Sequence, residues 1–290
     1  MTAPALGPRG AAILDSHSHA WRLWPYPPAV PDEDARGTIG QLLYEMDANG
    51  VAQALVVCAA IGANPDNTAY VAQARERYPG RLHVVGDLDC TWSSTYHQPG
   101  SADRLRELDD RFGLAGITHY LETDNDGWLL SDEAEALFNA AAQRRLLVSL
   151  AAGPSWQADL RVLARRHLDV PVLCHHLGDL RVKDPGGLAE VVASAVVPNI
   201  YVKASGFHYA AEAGWDYPWP EVLEVLRRIF DAYGPARLCW GSDFPASKRF
   251  CTFRQSLEAV RTHCSFLTEE DLGLVMGGTL GGILAGLGAG

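Results

Sequence analysis

Two histidines separated by one residue, His17 and His19, are the first side chains in this sequence whose types and spacing suggest chemistry. On a strand, residues two apart face the same side, so both imidazoles can share one metal ion. A second group is His175-His176-Leu177-Gly178-Asp179. Adjacent strand residues face opposite sides, so only one of its two imidazoles is expected to point inward. A third is Gly241-Ser242-Asp243-Phe244-Pro245. An ionised Asp243 can bind a metal and take a proton from water. The alternative is a turn or helix cap before Pro245, a role that Ser242 would fill equally well. Three nitrogens and a carboxylate form the ligand set that Zn²⁺ prefers. Such an ion lowers the pKa of water and polarises a carbonyl.

Other polar residues end apolar runs. Lys203 and Ser205 lie near the end of NIYVKAS, and His119 near the end of LAGITHY. A lysine in an apolar strand is costly unless paired, so Lys203 is expected to hold a substrate carboxylate or a barrel acid. His208 is a further candidate substrate contact. Seven of the eight tryptophans follow apolar runs, and Trp240 lies within the last of them. That distribution suggests a pocket walled by aromatics, with Trp21 and Trp24 in WRLWPYPP and the segment 206–220 as the main walls. Loop packing or an oligomer interface is the alternative.

These residues need elements to position them. Eight apolar runs are expected as buried strands: 11–16, 53–59, 82–88, 114–120, 146–152, 170–175, 199–205 and 237–242. Helix-period segments lie between them at 38–50, 67–80, 131–145 and 219–234. Eight strands alternating with helices predict an α/β fold, a single (β/α)₈ TIM barrel spanning 1–290 with 1–10 and 287–290 loose. In that fold the active site lies at the C-terminal ends of the strands, where the polar groups fall. A doubly wound sheet would need a glycine-rich phosphate loop after an early strand, and none is present.

The net charge of −11 disfavours nucleic acid and anionic membranes as partners, leaving a small molecule. None of the six cysteines forms a C-x-x-C pair, which suits reduced thiols in the cytoplasm. The start MTAPALGPRG lacks the basic and apolar regions of a signal peptide. A homo-oligomer is compatible with the sequence.

Taken together, ILDSHSHAW, NTAYVAQARERYPGRL, GITHYLE, VLCHHLGD, NIYVKASGF and RLCWGSDFP resemble the amidohydrolase superfamily. The likeness is to the amidohydrolase-related branch, which includes lactonases and some decarboxylases. The resemblance implies that His17, His19, His176 and Asp243 form the metal centre, with Asp243 and His176 catalytic. It implies hydrolysis of a lactone or related cyclic ester or amide, by metal-assisted water attack with Asp243 as general base. One divalent ion is expected, Zn²⁺ with Mn²⁺ as the alternative, although some relatives work without a metal. Three departures stand out: Thr118 replaces an Arg, Thr279 replaces an Asn, and strand 5 ends in Ala151-Ala152 rather than His. The last disfavours a two-metal or decarboxylase-like site. Two other readings remain: nonoxidative decarboxylation of an aromatic or unsaturated acid, and a degenerate barrel that only binds a small molecule. The aromatic segments suggest a flat substrate, and Lys203 a carboxylated one.

Overall fold

The structure, a computed structural model, describes residues 12–288. Its eight strands are β1 (Ile13–Ser18), β2 (Val51–Val57), β3 (Leu82–Asp87), β4 (Gly116–Tyr120), β5 (Leu147–Ala151), β6 (Val172–Cys174), β7 (Ile200–Ala204) and β8 (Leu238–Trp240). They pair in parallel and in chain order, with helices between, so the chain forms a (β/α)₈ barrel. All eight expected runs are strands, with ends shifted by a residue or two. The expected loose segment 1–10 lies outside the described residues, as do 289–290. Leu287 closes the last helix, and Gly288 caps it in a left-handed conformation.

The helices follow local rules. Thr38 and Ser131 cap the helices Ile39–Asn49 and Asp132–Arg144 through their side-chain oxygens. Gly50 ends the first of these with a φ of 71°. Along Pro220–Tyr233, Val222, Val225, Leu226 and Ile229 recur at helical spacing and are buried. Each such side chain contributes about 1.5–3 kcal/mol when taken out of water.

The strands are apolar on both faces because two cores flank them. Outward residues such as Val56, Val84, Val148 and Val202 pack under the helices. Inward residues Leu14, Leu55, Val85, Leu147, Leu173 and Cys239 fill the lower barrel, closed from below by Leu280, Ile283 and Leu284. The last helix, Thr279–Leu287, is therefore a plug. Gly277 lets it seat: a Cβ there would lie 2.1 Å from the Ala12 carbonyl oxygen. Gly277→Ala should cost about 1–3 kcal/mol of stability and leave the turnover of folded molecules unchanged. Thermal unfolding with active-site-normalised kinetics checks this.

The seam between β8 and β1 positions the chemistry. Asp15 Oδ1 accepts the backbone N–H groups of His17 at 3.0 Å and of Ser242 at 2.9 Å. Beyond it, Asp243 N–H donates to the His17 carbonyl at 2.8 Å, and His19 N–H to that of Phe244 at 2.6 Å. A Cβ on Gly241 would lie 2.7 Å from His17 Cβ, so only glycine allows this approach. The two ends of the chain's chemistry are thus joined through backbone. Among the described residues, no helix is long and apolar enough to cross a membrane.

Candidate active site

Asp243 lies at the centre of a ring of imidazoles. Its Oδ1 is 3.7 Å from His17 Nε2, 3.7 Å from His19 Nε2 and 3.9 Å from His176 Nε2. Its Oδ2 faces His208 Nε2 at 3.5 Å. All five residues are buried. Burial drives His19 down to about 4 and His208 to about 3, and holds His17 and His176 well below the usual imidazole range. The same burial, partly opposed by the charge of Arg249, lifts Asp243 well above the usual carboxylate range. The imidazoles are therefore neutral ligands or bases at pH 7, and Asp243 is more basic than an exposed carboxylate.

The Val57 carbonyl sets the His19 tautomer. His19 Nδ1 donates to the Val57 carbonyl at 2.7 Å, which leaves its Nε2 lone pair free. That lone pair meets His17 Nε2 at 3.2 Å. Beneath them, Lys203 Nζ lies 3.1 Å from His17 Nδ1 and 2.6 Å from Ser149 Oγ. Ser149 in turn bonds His175 Nε2 at 2.7 Å. Ser205 Oγ lies 3.1 Å from His176 Nδ1, leaving that ring's Nε2 toward Asp243.

The fit to a divalent ion can be tested on these atoms. His17, His19 and Asp243 each offer a ligand atom within 4.8 Å of the others, as do His17, His175 and His176. Asp243 Oδ2 is buried without a hydrogen-bond partner. A buried carboxylate ringed by neutral imidazoles lacks the cation that such a group requires. Both Nε2 lone pairs of the His17–His19 pair face one ion when His17 carries its proton on Nδ1 and Lys203 accepts it. Burial lowers Lys203 to about 7, so the neutral amine is accessible at neutral pH. The residues fit a divalent ion.

Above this centre opens a cavity of about 740 Å³ at the C-terminal mouth, with His19, His176 and Asp243 in its lining. Trp21, Tyr26, Trp92, Tyr120 and Tyr209 supply its aromatic wall. Glu122, Asp124, Asp179 and Asp184 line it as well, against one cationic side chain, Arg181. The Arg181 guanidinium donates to the Tyr209 carbonyl. Four successive residues, His176, Leu177, Gly178 and Asp179, have positive φ between 44° and 78°. Asp243 does too, at 52°. Such strain clusters where a site must aim its side chains.

The profile of the family described as Amidohydrolase matches residues 14–279. The chain belongs to the amidohydrolase family. This amidohydrolase is 28% identical over 246 residues to L-fucono-1,5-lactonase of Burkholderia ambifaria, with 81% of each chain covered. Its fold is similar to that of an amidohydrolase from Burkholderia multivorans with zinc bound, at 22% identity and a TM-score of 0.74, covering 95% of this chain and 99% of that one. A probable 2-pyrone-4,6-dicarboxylic acid hydrolase from Acinetobacter baumannii is similar at 18% identity and a TM-score of 0.74, covering 94% and 99%. This amidohydrolase is a hydrolase, and it carries a His/Asp cluster suited to a divalent metal.

Several expected residues land elsewhere in the site. His175 and His176 both turn inward, because β6 stops at Cys174 and the left-handed turn that follows breaks strand alternation. Their rings each lie 4.5 Å from that of His17, with His175 held by Ser149 below and His176 in the cavity lining. Lys203 lies under the centre and does not line the cavity. Ser205 holds His176, and His208 faces Asp243; neither lines the cavity. His119 bonds the Leu88 carbonyl and packs against Trp128 and His97, away from the cavity. Of the tryptophans, Trp21 and Trp92 line the cavity, whereas Trp24 packs on Tyr26 behind it. Trp156, Trp219 and Trp240 are core, and Trp215 is 77% exposed. Ser149 was not among the expected site residues, although the sequence carries a signal for it: a polar residue inside the apolar run LLVSLAA. Tyr26 and Tyr209 lie within the two segments expected as aromatic walls, and Tyr120, the last residue of β4, had no signal of its own.

Proposed function

We propose that this amidohydrolase opens the ring of an uncharged, hydroxylated lactone. The observation that carries the reading is the Asp243 carboxylate set among four imidazole Nε2 atoms at the cavity. That arrangement suits proton transfer at an ester carbonyl. The likeness to L-fucono-1,5-lactonase supports a lactone as the substrate class. The carboxylates of Glu122, Asp124 and Asp184 disfavour a substrate that is itself anionic, and they accept hydroxyl donors well. Trp21 and Trp92 offer faces for a ring.

His17, His19, His176 and Asp243 would hold the ion, Zn²⁺ by its preference for this donor set and Mn²⁺ as the alternative. When bound, such an ion polarises a carbonyl and makes water more acidic. Asp243 takes the proton of the attacking water and returns it to the ring oxygen as the ester bond breaks. His208 Nε2 stands 3.5 Å from Oδ2, beside the carboxylate but not bonded to it. Ser205 fixes the His176 ring, and Val57 the His19 ring.

A decarboxylase of this branch was expected to draw a further imidazole from β5. Here β5 supplies Ser149 and ends at Ala151, so the hydrolytic reading stands.

The test is a lactone panel with added Zn²⁺ or Mn²⁺ at pH 7–8, followed with a pH indicator. Neutral sugar lactones should open far faster than the spontaneous reaction, and lactones bearing a ring carboxylate poorly. No turnover of any lactone would refute the proposal.

A further inference from the structure

Asp87 ends β3 behind the active-site cavity, outside its lining. It lines a second cavity, of about 460 Å³, that also touches Thr68, Arg104 and Leu108. Its Oδ2 accepts two donors, the Ala60 backbone N–H at 2.7 Å and the Trp92 indole N–H at 2.9 Å. The donors come from different loops. Ala60 lies between Ala59 and Ile61, which both line the active-site cavity, and the Trp92 ring lines it too. Trp92 is 37% exposed and rests on Tyr120 with ring centres 4.8 Å apart. A half-exposed indole on a loop has rotamer freedom that one charge-assisted bond can remove. Burial lifts the Asp87 carboxyl to about 6, while its N–H donors pull the other way. The fold therefore keeps a half-buried carboxylate where a single oxygen joins two walls of the cavity.

We propose that Asp87 is a positioning residue for substrate binding. It fixes Trp92 as a stacking wall and sets the span between that wall and the loop after β2. This rests on the reading that the cavity holds a lactone ring, and it adds the group that shapes the wall. Asp87 touches neither substrate nor the reacting atoms, so its effect should fall on KM and leave kcat alone.

The experiment compares Asp87→Ala, Asp87→Asn and Trp92→Phe in the metal-loaded protein. The Trp92 indole proton, assigned by its loss in Trp92→Phe, reports the anchor directly by NMR. In Asp87→Ala it should exchange with solvent at least about tenfold faster, KM for a neutral lactone should rise roughly tenfold, and kcat should stay within about twofold. Asp87→Asn keeps a neutral acceptor and should recover most of the loss. An indole proton that stays protected in Asp87→Ala, or an unchanged KM, would overturn the inference. If Asp87→Ala does not fold, Trp92→Phe decides, since it keeps a ring but loses the donor: its KM should rise at least about threefold, and an unchanged value would overturn the claim. If the wild type opens no lactone, the proposed function fails separately. The same indole signal is then titrated with the neutral lactones: a shift that Asp87→Ala weakens supports positioning, and no shift with any of them overturns it.

Discussion

Asp243→Asn should lower kcat for lactone opening by about 10³-fold while leaving the fold intact. General-base catalysis contributes about 10²–10⁴-fold, and Asp243 is the carboxylate common to all four imidazole contacts. Asparagine keeps the shape and one acceptor oxygen but cannot carry the proton. The backbone bond from Asp243 N–H to the His17 carbonyl does not involve the side chain, so the seam should hold. Stability of the metal-free protein should not fall, because the substitution removes a buried carboxylate that burial already disfavours. Circular dichroism and thermal unfolding check the fold; steady-state kinetics check the loss. A variant within tenfold of the wild type would mean that another group moves the proton.

Gly206→Ala should damage the site almost as severely, from outside it. Gly206 has a φ of +63°, and a Cβ there would lie 2.3 Å from His176 Nδ1 and 2.5 Å from its Cγ. The ring cannot stay in place beside a methyl group. His176 would lose its Ser205 partner and leave its position opposite Asp243. A misplacement of about 1 Å at a catalytic group can cost about 10²-fold, which is the expected fall in kcat. The left-handed conformation adds about 1–2 kcal/mol of destabilisation for any residue with a Cβ. The two effects separate: kcat measured per folded molecule reads the ring displacement, and the melting temperature reads the backbone. Normal kcat with a lowered melting temperature would show that His176 does not need this position.

Much of this arrangement was legible in the sequence. Strand alternation placed His17 and His19 on one side, and their Nε2 atoms do converge. The eight apolar runs predicted the barrel, and the barrel located the mouth. Alternation failed at His175-His176 because it holds only for extended chain, and β6 ends one residue before the pair. Lys203 was recognisable as a polar residue in an apolar strand, but its depth was not. Depth depends on the stagger of neighbouring strands, and the residue lies beneath the imidazoles rather than among substrate contacts. The aromatic wall was half legible. Following a strand puts a tryptophan at the right end of the barrel, but tertiary packing decides whether it faces the cavity like Trp92 or the core like Trp219. Asp87 was invisible as a linker of loops, since its partners Ala60 and Trp92 are joined to it only by the fold.

His17, His19, His176 and Asp243 are proposed to form one metal-assisted hydrolytic centre. It is tested most directly by stripping the purified protein with a chelator and measuring lactone opening as Zn²⁺ is returned. Stripped protein should be inactive, and activity should return in step with one ion bound per chain. Retention of full lactone-opening activity by demonstrably metal-free protein would contradict it.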